Sequence, residues 1–297
     1  MRSSTTRQRR ISPRLKVTLA GPALVVGACS ATSPSPDASP GQELGFRLRA
    51  TTVQALPPMA MFTWTPQMVI TDDLVAIQQG AIRLIFPGPL VAPLIGTQLT
   101  EEAWMKIVAE ARAAGLLSGE SDFTGGGIAP GAESGRLQLV VDGRLYDLTG
   151  DPSRFSFCGD TICPAEAGTP EAFATFFSLL GDLQRWVGGV GPQAPWTPSS
   201  YAVLVGPPPA NGQGLAGPPL PWPFLASSAA FGPPVAGELD LRCGTVTGQQ
   251  AAAFSVALGQ ATQLTTWRDP EATLPVGLTV RPILPGDGDP CAPLVDG

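Results

Sequence analysis

The chain has 297 residues, of which 35 are glycine, 33 proline and none histidine, with 14% charged and 43% hydrophobic. The missing imidazole excludes Ser-His-Asp and Cys-His catalysis, histidine metal ligands and a histidine pH switch, while the apolar fraction allows a core broken by many loops. The first 28 residues hold six of the 18 basic residues and no acid, so the remainder carries 12 basic against 24 acidic residues, a net charge of −12. Such a surface repels phosphate backbones and anionic headgroups, which argues against nucleic-acid binding and against membrane docking by a basic patch.

The N-terminus presents Arg7, Arg9, Arg10, Arg14 and Lys16, then an apolar run of twelve residues from Val17 to Ala28 that ends in small residues. This is signal-peptide architecture. A membrane-spanning helix needs roughly 20 apolar residues, and this run is shorter and interrupted by Gly21-Pro22. Val26-Gly27-Ala28-Cys29 resembles the lipobox of bacterial lipoproteins, in which an aliphatic and two small residues precede a cysteine. The resemblance implies a diacylglyceryl thioether on Cys29, cleavage after Ala28 and acylation of the new N-terminus by a chain such as palmitate. Residues 1–28 are thus expected to be a lipoprotein signal peptide, and 29–43 a flexible Ser/Pro linker. At about 3.1 Å per residue that linker reaches roughly 40 Å, which would tether a folded body to the outer face of the cytoplasmic membrane. Arg9-Arg10 resembles a twin-arginine signal in the arginine pair alone, since Ile11-Ser12-Pro13 lacks the hydrophobic pair that follows it, so both export routes stay open.

From Phe62 to Phe86, apolar stretches at Met68 to Ile70, Leu74 to Ile77 and Arg83 to Phe86 are separated by Pro66, Asp72-Asp73 and Gly80. That punctuation predicts strands joined by turns. Thr100 then caps a helix with Glu101 and Glu102 in its first turn and Trp104, Ile107, Val108 and Ala111 on one face. Beyond Gly125-Gly126-Gly127, Arg136 to Thr149 reads as a hairpin, because Asp142-Gly143 fits a two-residue type I′ turn. The implied register sets Leu139 opposite Tyr146, Leu137 opposite Leu148 and Gln138 opposite Asp147, with the first two pairs facing the core. A second helix starts at Thr169-Pro170-Glu171 and carries Phe173, Phe176, Phe177, Leu180, Leu183 and Val187 as a core stripe. Gly188 to Pro198 reads as a break. It separates an N-terminal α+β domain at 44–190 from a C-terminal α+β domain at 196–297.

In the second half Tyr201 to Val205 reads as a strand, Gly206 to Pro223 as a rigid Pro/Gly loop and Glu238 to Cys243 as another strand. Thr247-Gly248-Gln249-Gln250 predicts a capping box ahead of a helix whose face is Ala251, Phe254, Leu258 and Ala261. Leu264 to Arg268 and Gly277 to Ile283 complete a strand-helix-strand unit. The expected fold class is α+β, with two small antiparallel sheets, each packed by helices on one face, and many loops.

With Cys29 lipidated, four cysteines remain, and an even number in an exported chain predicts two disulfides. Three pairings are open. Gly159-Asp160 lets Cys158 and Cys163 meet across a tight turn, which leaves Cys243 for Cys291; the longer loop would contribute a few kcal/mol on the chain-entropy view. A zinc site would need four thiolates at CxxC-like spacing, and Cys158-x4-Cys163 does not supply it. The tail, with Cys243, Trp267, Arg281 to Pro285 and Cys291, resembles over the final fifty residues exported bacterial lipoproteins of unknown function. That resemblance also implies a bridge between Cys243 and Cys291, and it implies no activity.

Little catalytic chemistry remains. Lys106 lacks a Ser-x-x-Lys partner, the glycine triplet lacks the Lys-Ser/Thr of a phosphate-binding loop, and Asp287-Gly288-Asp289 lacks the acids that complete an EF-hand and reads as a polar turn. Asp72, Asp73, Asp147 and Asp151, near Trp64 and Tyr146, are the candidates for a glycosidase pair, which needs two carboxyls roughly 5–10 Å apart. Nothing in the sequence fixes them at that separation, and turn and hairpin roles account for them better. No catalytic, cofactor-binding or metal residue is therefore assigned and no cofactor is expected. The expected function is a non-catalytic binding or scaffold lipoprotein of the cell envelope with an envelope protein or glycan as partner; the alternative is a carboxylate-dependent hydrolase acting on envelope glycans or peptides. Because diacylglyceryl transfer needs the thiol beside Ala28, Cys29→Ala is expected to abolish both lipidation and lipoprotein-type cleavage. Intact-mass analysis and detergent phase partitioning check this, and a wild-type mature protein without acyl mass that stays in the aqueous phase would refute it.

Overall fold

Side chains alternate across a strand, so the faces on which successive apolar residues emerge decide what each sheet can pack against. The computed structural model describes residues 44–295 except 55, 83–84, 128–132, 159–160 and 210–216, and Pro40–Gly297 cluster as one compact unit. The expected signal peptide and linker, with Cys29, lie outside the described residues. The first half runs β1 (Phe46–Val53), α1 (Pro58–Met61), β2 (Met68–Thr71), β3 (Val75–Gln79), β4 (Leu94–Leu99), α2 (Glu101–Ala113), β5 (Asp122–Phe123), β6 (Ser134–Val141) and β7 (Arg144–Gly150). A two-stranded hairpin of β8 (Phe157–Cys158) and β9 (Thr161–Ile162) follows, then α3 (Pro170–Leu179), α4 (Leu183–Trp186) and β10 (Val190–Trp196). The second half comprises β11 (Ser200–Gly206), β12 (Leu220–Pro221), β13 (Pro234–Val235), β14 (Glu238–Thr247), α5 (Gly248–Leu258), β15 (Thr266–Arg268), β16 (Val276–Pro282) and α6 (Ala292–Val295).

The chain is a mixed α/β protein with two main sheets. An eight-stranded sheet has the order β10-β4-β3-β2-β1-β6-β7-β5 and a six-stranded sheet the order β12-β15-β16-β11-β14-β13. Both are larger than expected, and they are not wholly antiparallel, because β5 pairs β7 and β12 pairs β15 in parallel. Those two strands are two residues long and sit at sheet edges.

The hairpin shows how local sequence sets tertiary contacts. Asp142 and Gly143 have φ of 52° and 75°, the left-handed pair that a type I′ turn requires. The register puts Leu139 opposite Tyr146, Leu137 opposite Leu148 and Gln138 opposite Asp147. The same ladder pairs Gly135 with Gly150, and a Cβ added at Gly150 would lie 2.4 Å from Cδ1 of Phe173. Only a glycine there lets the phenylalanine of α3 approach the sheet so closely. Both long helices of this half are capped by threonine: Thr100 Oγ1 accepts from Ala103 N–H and Thr169 Oγ1 from Ala172 N–H, each at 3.2 Å.

Leu48, Ala50, Met68, Ile70, Leu137, Leu139 and Leu148 share one core cluster with Trp104, Ile107 and Val108 of α2 and with Phe173, Phe176 and Phe177 of α3. A large apolar side chain fully buried in such a core contributes about 1.5–3 kcal/mol. A register shift between Phe46 and Leu48 moves Phe46 to the opposite face, as a bulge does. There it joins Val69, Ile77 and Leu94 in a cluster that contains Leu284 from the second half. In the central strand β11, Tyr201, Val203 and Val205 meet Phe254 of α5, while Ala202 and Leu204 meet Phe62, Cys243, Cys291 and Leu294. Two buried faces explain why β11 reads as a continuous apolar run.

Three local expectations need correction. In the predicted strand at Arg83 to Phe86, residues 83–84 lie outside the described set, and Ile85 and Phe86 are outside any strand and exposed by 62% and 63%. The strand instead follows Pro93, because Pro87, Pro89 and Pro93 have no N–H to give a ladder. The expected break at Gly188 to Pro198 contains β10; its Pro192 and Pro195 are tolerated because the strand forms a sheet edge. Thr247 precedes α5 but makes no side-chain cap hydrogen bond. The next residue, Gly248, has φ of 58°, which turns the backbone away from the geometry that a capping box needs.

Asp287 lies in the expected polar turn, its N–H donating to the Leu284 carbonyl at 2.9 Å, and its side chain is also a buried junction. Its carboxylate is 1% exposed and accepts from Arg49 Nη2 of β1 at 2.5 Å, from Arg281 Nη2 of β16 at 2.9 Å and from Leu284 N–H at 2.9 Å. Burial weakens the hold of Arg49 on its proton, Asp287 opposes that, and neighbouring Arg281 adds to it. Removing the acid would leave two largely buried guanidinium groups facing each other. Asp287→Ala is therefore expected to cost about 3–5 kcal/mol, measured by urea unfolding; a change below about 1 kcal/mol would contradict this role.

Candidate functional site

Between β3 and β4 the chain leaves the first sheet as a strap, described at residues 81–82 and 85–93. Gly80 N–H donates to the Pro93 carbonyl at 2.7 Å and closes its base. Its far end docks on the second half: Leu90 N–H donates to the Ala261 carbonyl at 3.1 Å, Gln263 N–H to the Gly88 carbonyl at 3.0 Å, and Gly88 N–H to Gln263 Oε1 at 3.3 Å. Leu90 and Val91 pack against the core around Phe254 and Trp267.

The strap, the β10–β11 connection and the end of α5 enclose a groove of about 610 Å³, within the range of about 300–1,000 Å³ that small-molecule sites occupy. Its apolar walls include Ile82, Ile85, Val91, Leu94, Trp196 and Leu258, with polar groups at Thr197, Ser255, Gln260 and Thr262. None of the described residues lining it carries a charge at neutral pH. Tyr201 also lines it, edge-on to Phe254 with ring centroids 5.6 Å apart, and burial pushes its phenol above the ordinary value. The ring thus keeps its proton and remains a donor.

Two further clefts share wall residues around the strap. A neighbouring cleft of about 290 Å³ shares Ile82, Pro89, Val91, Ala92 and Leu94 with it. A third, of about 440 Å³, shares Thr63, Leu90, Gln263 and Val280 with the second and ends at Pro207 and Pro209.

The carboxylate candidates are elsewhere and separately engaged. Asp73 accepts from the Thr71 hydroxyl; Asp147 accepts from Arg136 and Gln138; Asp151 accepts from Ser153 and pairs with Arg154. Asp72 lines a different cleft, of about 400 Å³, with Arg47, Glu101, Trp104 and Asp142. There Arg47 donates to both Glu101 oxygens at 3.1 Å and to the Asp72 carbonyl at 3.2 Å. A hydrogen bond from Arg136 holds the Asp147 carboxyl below the usual range, and the Ser153 hydroxyl does the same for Asp151. Burial pushes Asp269 up, but hydrogen bonds from Ser228 and from Glu271 N–H outweigh it and leave that carboxyl lowered too. A general acid for glycoside cleavage needs the opposite shift.

Asp289 accepts from Cys291 N–H at 2.9 Å and Asp287 is held by two arginines. Among the described residues no group of three Cys, Asp or Glu side chains could hold a metal ion, and no helix is long and apolar enough to cross a membrane. Cys158 is bonded to Cys163 and Cys243 to Cys291, with Cα separations of 5.0 and 5.5 Å, so these sulfurs are not free nucleophiles. Sequence reasoning missed the strap and its groove. Three prolines spaced through 87–93, between runs of strand character, were the signal available. No protein-family model, curated protein or solved structure matches the chain.

Proposed function

We propose that the protein is a membrane-anchored extracytoplasmic lipoprotein of the cell envelope that binds a ligand in the groove between strap and α5 and catalyses no reaction. The carrying observation is a groove of about 610 Å³ without a charged residue among those described at its walls. Such a lining favours transfer of apolar surface out of water and supplies no acid-base pair or activated nucleophile. The anchor rests on the lipobox-like Val26 to Cys29. On this reading each sheet keeps its long helices on one face, supported by the core clusters that hold α2 and α3 in the first half and α5 in the second. The cleft at Arg47 favours the second reading, a hydrolase, because it brings Asp72 and Glu101 together, although Glu101 is held in an ion pair with Arg47.

The test is to purify the full chain from membranes and identify the material that travels with it. Ser255→Trp, which fills the groove from α5, is expected to reduce that material at least tenfold while the protein stays folded by circular dichroism. No turnover is expected on peptide, ester or glycan substrates. Turnover that vanishes in Asp72→Asn or Glu101→Gln would establish the hydrolase instead.

A further inference from the structure

We infer that the Cys158–Cys163 disulfide is a redox site that accepts two electrons from an external dithiol, and that Cys243–Cys291 is a structural bridge closed to the same exchange. A thiolate must reach a sulfur atom before it can attack, so access controls the rate and exposed bonds are the labile ones. Cys243 and Cys291 are 0% and 5% exposed and share a core cluster with Phe62, Ala202, Leu204 and Leu294. Their bond ties β14 to the C-terminal segment across a separation of 48 residues. Cys158 is exposed, Cys163 is half-buried, and their separation is 5 residues.

The fold around the exposed bond can open without disturbing either main sheet. β8 and β9 form a two-stranded sheet of their own, paired at Phe157 with Ile162 and at Cys158 with Thr161. The Cys163 N–H donates to the Ser156 carbonyl at 2.7 Å. Between Leu148 and Phe173 no described residue belongs to a hydrophobic cluster. A lone two-stranded hairpin is marginal in water, so here the disulfide holds the hairpin, and the cores are built elsewhere. Phe157, beside Cys158, is 69% exposed, with the Phe155 ring edge-on at a centroid distance of 5.4 Å. That exposed ring is an apolar contact for a dithiol carried on a protein. The site is Cys158, Cys163 and Phe157, all described residues.

The exchange balances without any further reagent. One thiolate of the dithiol attacks Cys158 Sγ, the bond to Cys163 breaks, and Cys163 leaves as a thiolate that takes up a proton. The second thiol of the dithiol then attacks the mixed disulfide and releases Cys158 as a thiol. The dithiol ends as its own disulfide, and its two protons and two electrons end on Cys158 and Cys163.

The experiment exposes the folded, disulfide-intact protein to dithiothreitol, quenches samples over time with N-ethylmaleimide and maps the alkylated peptides. Cys158 and Cys163 are expected to be alkylated at least about tenfold faster than Cys243 and Cys291, with the circular dichroism spectrum unchanged during the fast phase. Replacing both residues, Cys158→Ser with Cys163→Ser, is expected to remove that phase and keep the spectrum. Equal rates at the two bonds, faster alkylation of Cys243 and Cys291, or alkylation of Cys158 and Cys163 only as the spectrum is lost would overturn the assignment. A second time course with a reduced Cys-x-x-Cys protein separates the two sources of dithiol. If the source is a protein, Phe157→Ser slows this course at least about threefold and leaves the dithiothreitol course unchanged; if Phe157→Ser slows neither, the bond serves small dithiols.

Discussion

Asp287 joins two sheets that the chain builds separately. It takes one guanidinium from β1 and one from β16, and 238 residues separate Arg49 from the acid it meets. A buried ion pair often contributes little net stability, because desolvation offsets attraction. Its directionality is the larger consequence here, since the carboxylate has a limited set of acceptor sites and a third is used by Leu284 N–H. The turn at 284–287 is thereby pinned to the first sheet, and Leu284 enters the cluster of Phe46, Val69 and Ile77. Apolar contact alone tolerates sliding; this joint does not.

With the sheets so held, the strap can leave one and dock on the other. Leu90 and Val91 enter the second core, the hydrogen bonds to Ala261 and Gln263 fix their depth, and the space left beside them is the groove. Trp196, Tyr201 and Leu258 line that hollow together with the strap. Its chemistry follows from what lines it. Without a charged wall residue among those described, it presents an apolar lining with Tyr201, Thr197, Ser255, Gln260 and Thr262 as its polar groups.

What the sequence made legible is what local rules decide. The Asp142-Gly143 turn fixes its own register, and the threonine caps with their 3.6-residue stripes place α2 and α3 and name their buried faces. Strands at 68–71, 75–79 and 200–206 follow from apolar runs between turn residues. The rest depends on partners far away in the chain. Proline made Val190–Trp196 look like a break, because a strand that contains proline is acceptable only where a sheet ends, and no local pattern says where a sheet ends. The turn at Asp287 is legible locally, but its ion pair with Arg49 is not, because nothing near it in sequence announces that partner. The groove was invisible for the same reason, being formed by residues from 81 to 262.

The two sheets, each with a main core cluster of its own and two smaller clusters that hold residues of both halves, are locked together as one cooperative body. Scanning calorimetry of the disulfide-intact protein tests it most directly. A locked pair predicts one transition in which calorimetric and van't Hoff enthalpies agree, as two-state unfolding requires. Two resolved transitions, one for each core, would contradict it.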